Sequence, residues 1–393
     1  MKPLHSVCVR PVVLYLALGA LLCALALSLA PALALQETID TEAGPIRVET
    51  VTDELKRPWG MAFLPDGRML VTERGGTLRL VSADGVVSDP IAGVPEVAAR
   101  GQGGLLDVAL DPGFLTNNLI YLSYSEPGDG GAGTAVARGK LEGESLQDVK
   151  VIFQQTPKVT GSGHFGSRLI FAPDGTLFIT LGDRRQLDLV QDLSSHVGKI
   201  VRINPDGSVP QDNPFIGQND AQPEIWSLGH RNVQSASINP QTGKLWTLEF
   251  GPRGGDELNR PSAGKNYGWP LVNWGSEYGG ASIPDPPTRP EFEDAIRHWT
   301  PVISPSGATF YTAEPVPGWT SEAIPAWSGD LLVAGLSAKG IIRLSLDGES
   351  VTGEERIPIG VRIRDVVQGP DGAVYALTDE NTGKILRLTA EGQ

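Results

Sequence analysis

Four histidines follow the first forty residues: His164, His196, His230 and His298. His164 sits in Gly161-Ser162-Gly163-His164-Phe165-Gly166, just before a strand-like run that begins at Arg168. An imidazole titrates near about pH 6.5 and suits a general base, although a lone histidine is more often a hydrogen-bonded structural residue. Arg362 and Arg364 lie two apart in the strand-like Val361–Val367 and so share one face. Two guanidinium groups on one face repel unless water or an anion lies between them. The pair is therefore either a solvated outer face or a pocket for a ligand with several carboxylates, which arginine binds through paired hydrogen bonds. A third constellation, Gly251-Pro252-Arg253-Gly254-Gly255-Asp256-Glu257-Leu258-Asn259, precedes Lys265-Asn266-Tyr267-Gly268-Trp269-Pro270. Carboxylates, amides and carbonyls on irregular backbone are hard oxygen donors, the kind that suits Ca²⁺.

Other chemistries are excluded. The chain has no G-x-S-x-G, H-E-x-x-H, Walker A or EF-hand pattern. The literal G-x-G-x-x-G at Gly161–Gly166 leads into strand, turn and strand, not into the helix a pyrophosphate needs. The two cysteines, Cys8 and Cys23, both lie near the N-terminus. A net charge of −14 over 393 residues argues against a nucleic-acid partner.

The elements that must position these groups repeat along the chain. Phe63-Leu64-Pro65-Asp66-Gly67, Phe171-Ala172-Pro173-Asp174-Gly175 and Gly369-Pro370-Asp371-Gly372 are each flanked by strand-like runs. Weaker copies fall at Asp111-Pro112-Gly113, Asn239-Pro240-Gln241-Thr242-Gly243 and Ser328-Gly329-Asp330. Proline presets a turn and glycine accepts positive φ, so each copy reads as strand, tight turn, strand. Six units of roughly 60 residues predict an all-β, six-bladed propeller of four-stranded antiparallel blades. Ile46–Val51 is expected to add the last strand of the C-terminal blade, so that N- and C-terminal strands close the ring. The long stretch from Phe250 to Trp327 carries Tyr267, Trp269, Trp274, Tyr278 and Trp299, and is expected at one mouth of the channel.

Lys2 and Arg10 precede an uncharged run, Pro11–Ala30, and Ala32-Leu33-Ala34 supplies a cleavage pattern. Residues 1–34 thus read as a signal peptide, with an uncleaved anchor as the alternative, and residues 35–393 as a single domain. Cleavage removes both cysteines and leaves a periplasmic or secreted protein with no stable membrane association.

The mature chain resembles the soluble pyrroloquinoline quinone (PQQ)-dependent aldose sugar dehydrogenases of the glucose/sorbosone dehydrogenase family. The likeness runs from about Arg57 to Leu388. It rests on ordered segments that include RPWGMAFLPDGRMLVTER, GQGGLLDVALDP, HFGSRLIFAPDGTLFITLGDR, HVGKIVRINPDGSVPQDNPF, EIWSLGHRNVQ, GPRGGDELN, KNYGWP and RIRDVVQGPDG. The resemblance implies His164 as catalytic base and Arg231 as a second catalytic residue beside the quinone. It implies Gln102, Arg231, Asn232, Ser337, Ala338, Lys339, Arg362, Ile363 and Arg364 as PQQ contacts. Gly251 and Pro252 are implied as ligands of a calcium that touches PQQ, and Glu257 and Tyr267 as ligands of a second, structural calcium. Asp183 and Trp299 are implied near the sugar. The reaction implied is oxidation of an aldose to its lactone, with reduced PQQ re-oxidised by an external electron acceptor, in a monomer or homodimer. Two other readings stay open on the residues alone: a calcium-dependent lactonase on the same fold, and a non-catalytic exported binding propeller.

Overall fold

Six antiparallel sheets follow one another along the chain. The computed structural model describes residues 36–276, 278–280 and 286–392; the expected signal peptide lies outside the described residues. A hairpin of β1 (Gln36–Thr41) and β2 (Gly44–Leu55) comes first. The first blade is β3 (Pro58–Phe63), β4 (Met69–Glu73) and β5 (Thr77–Val81). The second is β6 (Leu105–Leu110), β7 (Leu119–Gly128), β8 (Gly131–Glu142) and β9 (Ser145–Gln154). The third is β10 (Leu169–Phe171), β11 (Leu177–Thr180), β12 (Lys199–Ile203) and β13 (Ile225–Leu228). The fourth is β14 (Val233–Ile238), β15 (Leu245–Glu249), β16 (Asp256–Asn259) and β17 (Arg297–Trp299). The fifth is β18 (Pro305–Phe310), β19 (Leu331–Gly335), β20 (Gly340–Asp347) and β21 (Ser350–Pro358). The sixth is β22 (Ile363–Gln368), β23 (Val374–Thr378) and β24 (Gly383–Ala390).

The ring closes as expected. β2 pairs with β24, Ile46 opposite Ala390 and Val48 opposite Leu388, and β1 adds an outer fifth strand. The expectation of four strands in every blade is corrected at two places. The closing sheet has five, and the first has three, with only a single bridge from Val81 to Val87 where a fourth strand would run. Helix is confined to one four-residue turn and two short 3₁₀ turns among the described residues, and no helix there is long and apolar enough to cross a membrane.

The first strand of each blade touches the first strand of the next, from β3 through β6, β10, β14, β18 and β22 back to β3. Between blades lie separate apolar layers. Leu70, Leu78, Leu105 and Leu122 join the first to the second, and Trp246, Leu258, Trp299 and Leu331 join the fourth to the fifth. One blade alone leaves such faces wet; the ring buries them at about 1.5–3 kcal/mol for each large side chain.

Five of the six inner strands shift register near their start: β3, β6, β14, β18 and β22. A bulge bends its strand and re-aims the residues within it. Here the bulged segments carry Trp59, Asp107, Gln234, Ser306 and Arg364, all buried around the central channel. Arg168 crosses that channel, with Nη1 3.0 Å from Asp107 Oδ1 and Nη2 3.1 Å from Asp365 Oδ1. Its Nε donates to the Gln234 carbonyl (2.9 Å), and its guanidinium lies 4.3 Å from the Trp59 ring centre. One buried cation thus ties the third blade to the first, second, fourth and sixth, against Trp59 and Gln234, which line the mouth.

Candidate active site

The expected residues come from one end of the ring. The loops that lead into inner strands carry Gln102, His164, Arg231, Asn232 and Arg362. The links between second and third strands carry Asp183, Gly251, Pro252, Ser337, Ala338 and Lys339. In an antiparallel blade these two sets of connections share an end, whereas the Pro-Asp-Gly turns lie at the other.

His164 is buried, at 5% exposure, and takes left-handed backbone with φ of 57°. A Cβ on Gly182 would overlap the His164 carbonyl, so only glycine permits this approach. His164 N–H donates to Gln102 Oε1 (2.7 Å), and Nδ1 lies 2.7 Å from Asp183 Oδ1. Asp183 accepts two further bonds: Oδ1 from Arg185 N–H (2.8 Å), and Oδ2 from Trp269 Nε1–H (2.9 Å). An ionised Asp183 fixes the proton of His164 on Nδ1 and leaves Nε2 as the basic nitrogen. Among the described residues Nε2 has no hydrogen-bond partner. Burial, helped by the charges of Arg231 and Arg185, holds the His164 pKa below the ordinary value, against the pull of Asp183. Burial alone would raise Asp183, but the hydrogen bonds from His164 and Arg185 N–H hold its carboxyl below the usual range. Of the other histidines, two are bonded internally and His298 is exposed. His196 is held by Thr156 N–H and Glu224, His230 by Ser227 and Glu249, and His298 stacks on Trp274.

The channel mouth is a cavity of about 190 Å³ that includes Trp59, Gln102, Asn232, Phe250, Arg362 and Arg364. Arg74 and Asp379 complete its charges, three guanidiniums against one carboxylate. Arg362 Nε donates to Asp379 Oδ2 (2.8 Å), while Arg364 Nη2 reaches Oδ1 (2.7 Å). The anion that the Arg362/Arg364 spacing demands is therefore in part the protein's own. The solvated-face reading is overturned, because Arg364 is 5% exposed and lines the mouth. Arg231 donates to the Phe250 carbonyl and the Tyr278 hydroxyl, both at 2.9 Å. Arg231 Nε and Arg74 Nε are buried with no partner, so donors remain for a ligand with carboxylates or carbonyls.

The Gly251 turn is pinned by Asp256, whose Oδ1 accepts Gly251 N–H (2.9 Å) and whose Oδ2 accepts Ile303 and Ser304 N–H (2.8 and 2.6 Å). Burial pushes the Asp256 carboxyl up to about 6. Glu257 faces Glu249 across β15 and β16, and burial together with the Glu249 charge pushes it up to about 8. Asn259 Nδ2 bridges the two (3.1 Å each), and Tyr267 stacks on His230, itself bound to Glu249. Crowded hard oxygens of one sign fit a cation. Among the described residues no three acidic, histidine or cysteine side chains converge, so a cation here would need backbone carbonyls for its other ligands.

One expectation needs correcting. Trp299 is 4% exposed in the layer between the fourth and fifth blades, where its Nε1–H donates to Glu354 (3.0 Å), so it cannot stack on a sugar. Asp183 lies on the Nδ1 side of His164, with three donors already on its carboxylate. The Ile363 side chain is fully buried between the fifth and sixth blades and leaves only its backbone to touch a ligand. Ser337 and Lys339 are exposed at the rim, Ala338 is half-buried, and Lys339 holds left-handed backbone with φ of 53°. Sequence reasoning assigned no role to Trp269, Asp379, Trp59 and Gln234. Of these, only Trp269 stood in a segment already marked as unusual.

A larger cavity of about 510 Å³ opens at the Pro-Asp-Gly end, between the third and fourth blades. Its arginines are satisfied, Arg202 by Asp174 and Asp212, Arg260 by Glu349, and no expected site residue reaches it.

A family model described as glucose/sorbosone dehydrogenase matches residues 55–387. The aldose sugar dehydrogenase YliI of Escherichia coli is 44% identical over 371 residues, which span 92% of this chain and 97% of that one. Quinoprotein glucose dehydrogenase B of Acinetobacter calcoaceticus is 28% identical over 444 residues, 87% of this chain and 90% of its own. The PQQ-bound form of an aldose sugar dehydrogenase from Streptomyces coelicolor has a TM-score of 0.71 at 29% identity, covering 88% of this chain and 98% of that one.

Proposed function

The chain belongs to the glucose/sorbosone dehydrogenase family, and we propose that it oxidises aldose sugars at the anomeric carbon to lactones, with PQQ as cofactor and an external acceptor for the electrons. The observation that carries this reading is His164, backed by Asp183 and bonded through its N–H to Gln102, which lines a cavity with three arginines, one of them, Arg74, with an unused buried donor. A hydrolase acting on lactones has no need of that cationic set.

Arg74, Arg362 and Arg364 would hold the carboxylates of the cofactor, with Gln102 and Asn232 offering amide groups to its carbonyls. PQQ, if held there, would supply an electrophilic quinone carbonyl as hydride acceptor. His164 Nε2 accepts the proton of the anomeric hydroxyl. Asp183 stabilises the imidazolium that results, and Trp269 and Gln102 keep the pair in place. Arg231 sets a positive charge beside the developing oxyanion. A calcium ion at the Gly251–Pro252 turn would supply Lewis acidity, and Glu257 with the Tyr267 segment would hold a structural calcium. The segment 1–34 would direct export and be removed, which N-terminal sequencing of the secreted protein tests.

Reconstitution decides the main claim. Residues 35–393, given PQQ and Ca²⁺, are expected to reduce an acceptor dye with aldoses and to need both additions. No binding of PQQ would sink the reading. Calcium at about a hundredfold its Kd is expected to stabilise the protein by about 2.7 kcal/mol. Most of that gain should vanish in Glu257→Gln. A melting temperature indifferent to chelator would speak against the structural site.

A further inference from the structure

Beside the mouth, and sharing Gln102 with it, lies a second cavity of about 410 Å³. Its wall comes from the Gly101–Gln102 turn, the Thr160–Gly163 run that precedes His164, and Arg184, Arg185 and Gln186 behind Asp183. It holds two guanidinium groups and no aspartate or glutamate, in a chain whose net charge is −14.

Neither arginine has a carboxylate partner among the described residues. Arg184 is 1% exposed and donates only to backbone carbonyls, those of Gly163, Gly161 (2.8 Å) and Ala132 (3.5 Å). Its carbon centre lies 3.6 Å from the Phe165 ring centre, and its Nε is buried without any partner. Such a cation keeps its full charge in a site of low dielectric, where it acts at longer range than at the surface. Arg185 is exposed, and its guanidinium lies along Gly163, where a Cβ would stand 3.5 Å from Nε and 3.6 Å from Nη2. Both residues hold left-handed backbone, φ of 49° and 59°, a cost that the Asp183 hydrogen bond to Arg185 N–H helps to carry. The strain serves to present Arg185 on the cavity side. Thr160, Ser162, Gln102 and Gln186 add hydroxyl and amide groups around it.

We infer that this cavity receives an anionic substituent of the sugar, a carboxylate or phosphate remote from the carbon being oxidised, with Arg185 as its recognition group. The inference rests on the dehydrogenase reading, because His164 next to Gly163 sets where the reacting end of the sugar lies. Guanidinium pairs with both oxyanions through parallel hydrogen bonds, so the chemistry is shared and the experiment separates the two.

The test compares kcat/KM for D-glucose, D-glucuronate and D-glucose 6-phosphate in the PQQ- and calcium-loaded protein and in Arg185→Glu. The acidic sugar that fits is expected to be preferred over glucose, and the substitution to lower the acidic-to-neutral ratio by about 10–100-fold. The preference should weaken with added salt. Equal kcat/KM for all three sugars, with ratios untouched by Arg185→Glu, would overturn the inference and leave the dehydrogenase standing. A second arm needs no cofactor. Glucuronate or inorganic phosphate should raise the melting temperature of the wild type more than glucose does, and not that of Arg185→Glu. If no aldose is oxidised at all, the dehydrogenase reading falls. The melting arm then decides the anion site alone, upholding it on a shift that Arg185→Glu removes and overturning it on none.

Discussion

Replacing His164 by alanine is expected to lower kcat by about 10²–10⁴-fold, the usual contribution of a positioned general base, with the circular dichroism spectrum unchanged. Asp183→Asn separates position from proton transfer. Every group around Asp183 donates: His164 Nδ1, Arg185 N–H and Trp269 Nε1–H. An amide nitrogen must therefore face one of those donors, and facing Trp269 keeps the His164 tautomer intact. What is lost is the negative charge, which raises the His164 pKa and steadies the imidazolium. The base must be neutral, so activity falls as pH drops through the His164 pKa, which burial already holds below the ordinary value. Asp183→Asn should move that acid limb to still lower pH and lower the plateau, because a weaker base accepts the proton less readily. A variant that lost activity with the limb unmoved would show that Asp183 only props the loop.

Arg168→Met is expected to destabilise the ring by about 3–5 kcal/mol at neutral pH, read from urea unfolding, since it strands two buried carboxylates. Asp107 and Asp365 are both raised above the usual carboxylate range by burial even with Arg168 between them, Asp107 to about 6. A carboxyl whose folded pKa is raised contributes stability when protonated and loses it as pH rises through that value. Without the arginine both groups rise further. The deficit should therefore be larger at pH 8 than at pH 5. Adding Asp107→Asn and Asp365→Asn to Arg168→Met should recover part of the loss, which a simple cavity would not.

The architecture was legible because turn chemistry is local. Pro-Asp-Gly between apolar runs announces a strand reversal wherever it stands, and three such turns with three weaker copies leave little but a propeller. Ile46–Val51 could be placed in the last blade because nothing else near the N-terminus had strand character. His164 stood out by its setting among glycines, and its reading as a base came only from the family resemblance. The mouth was harder, because bulges break the period of two on which face assignments depend. Arg364 falls within such a shift, between Ile363 and Asp365. Asp379, its partner, sits in a polar turn no different in composition from others. Trp299 misled because an aromatic residue near a long functional stretch reads the same whether it lines a site or fills a layer, and only packing distinguishes them. Asp183 was legible only as a neighbour of the sugar; its hold on His164 Nδ1 needed the fold.

The pairing of β2 with β24 carries a consequence for how the protein is made. Synthesis runs from the N-terminus, so the segment that completes the last sheet is produced first and finds its partner only when the final strand exists. Such a long-range contact is slow to form. Until then two sheet edges stay open, and the waiting strand carries Glu49, Asp53 and Glu54, charges that discourage the wrong neighbour. The ring therefore closes only after the last strand has been made, however early the blades between have formed.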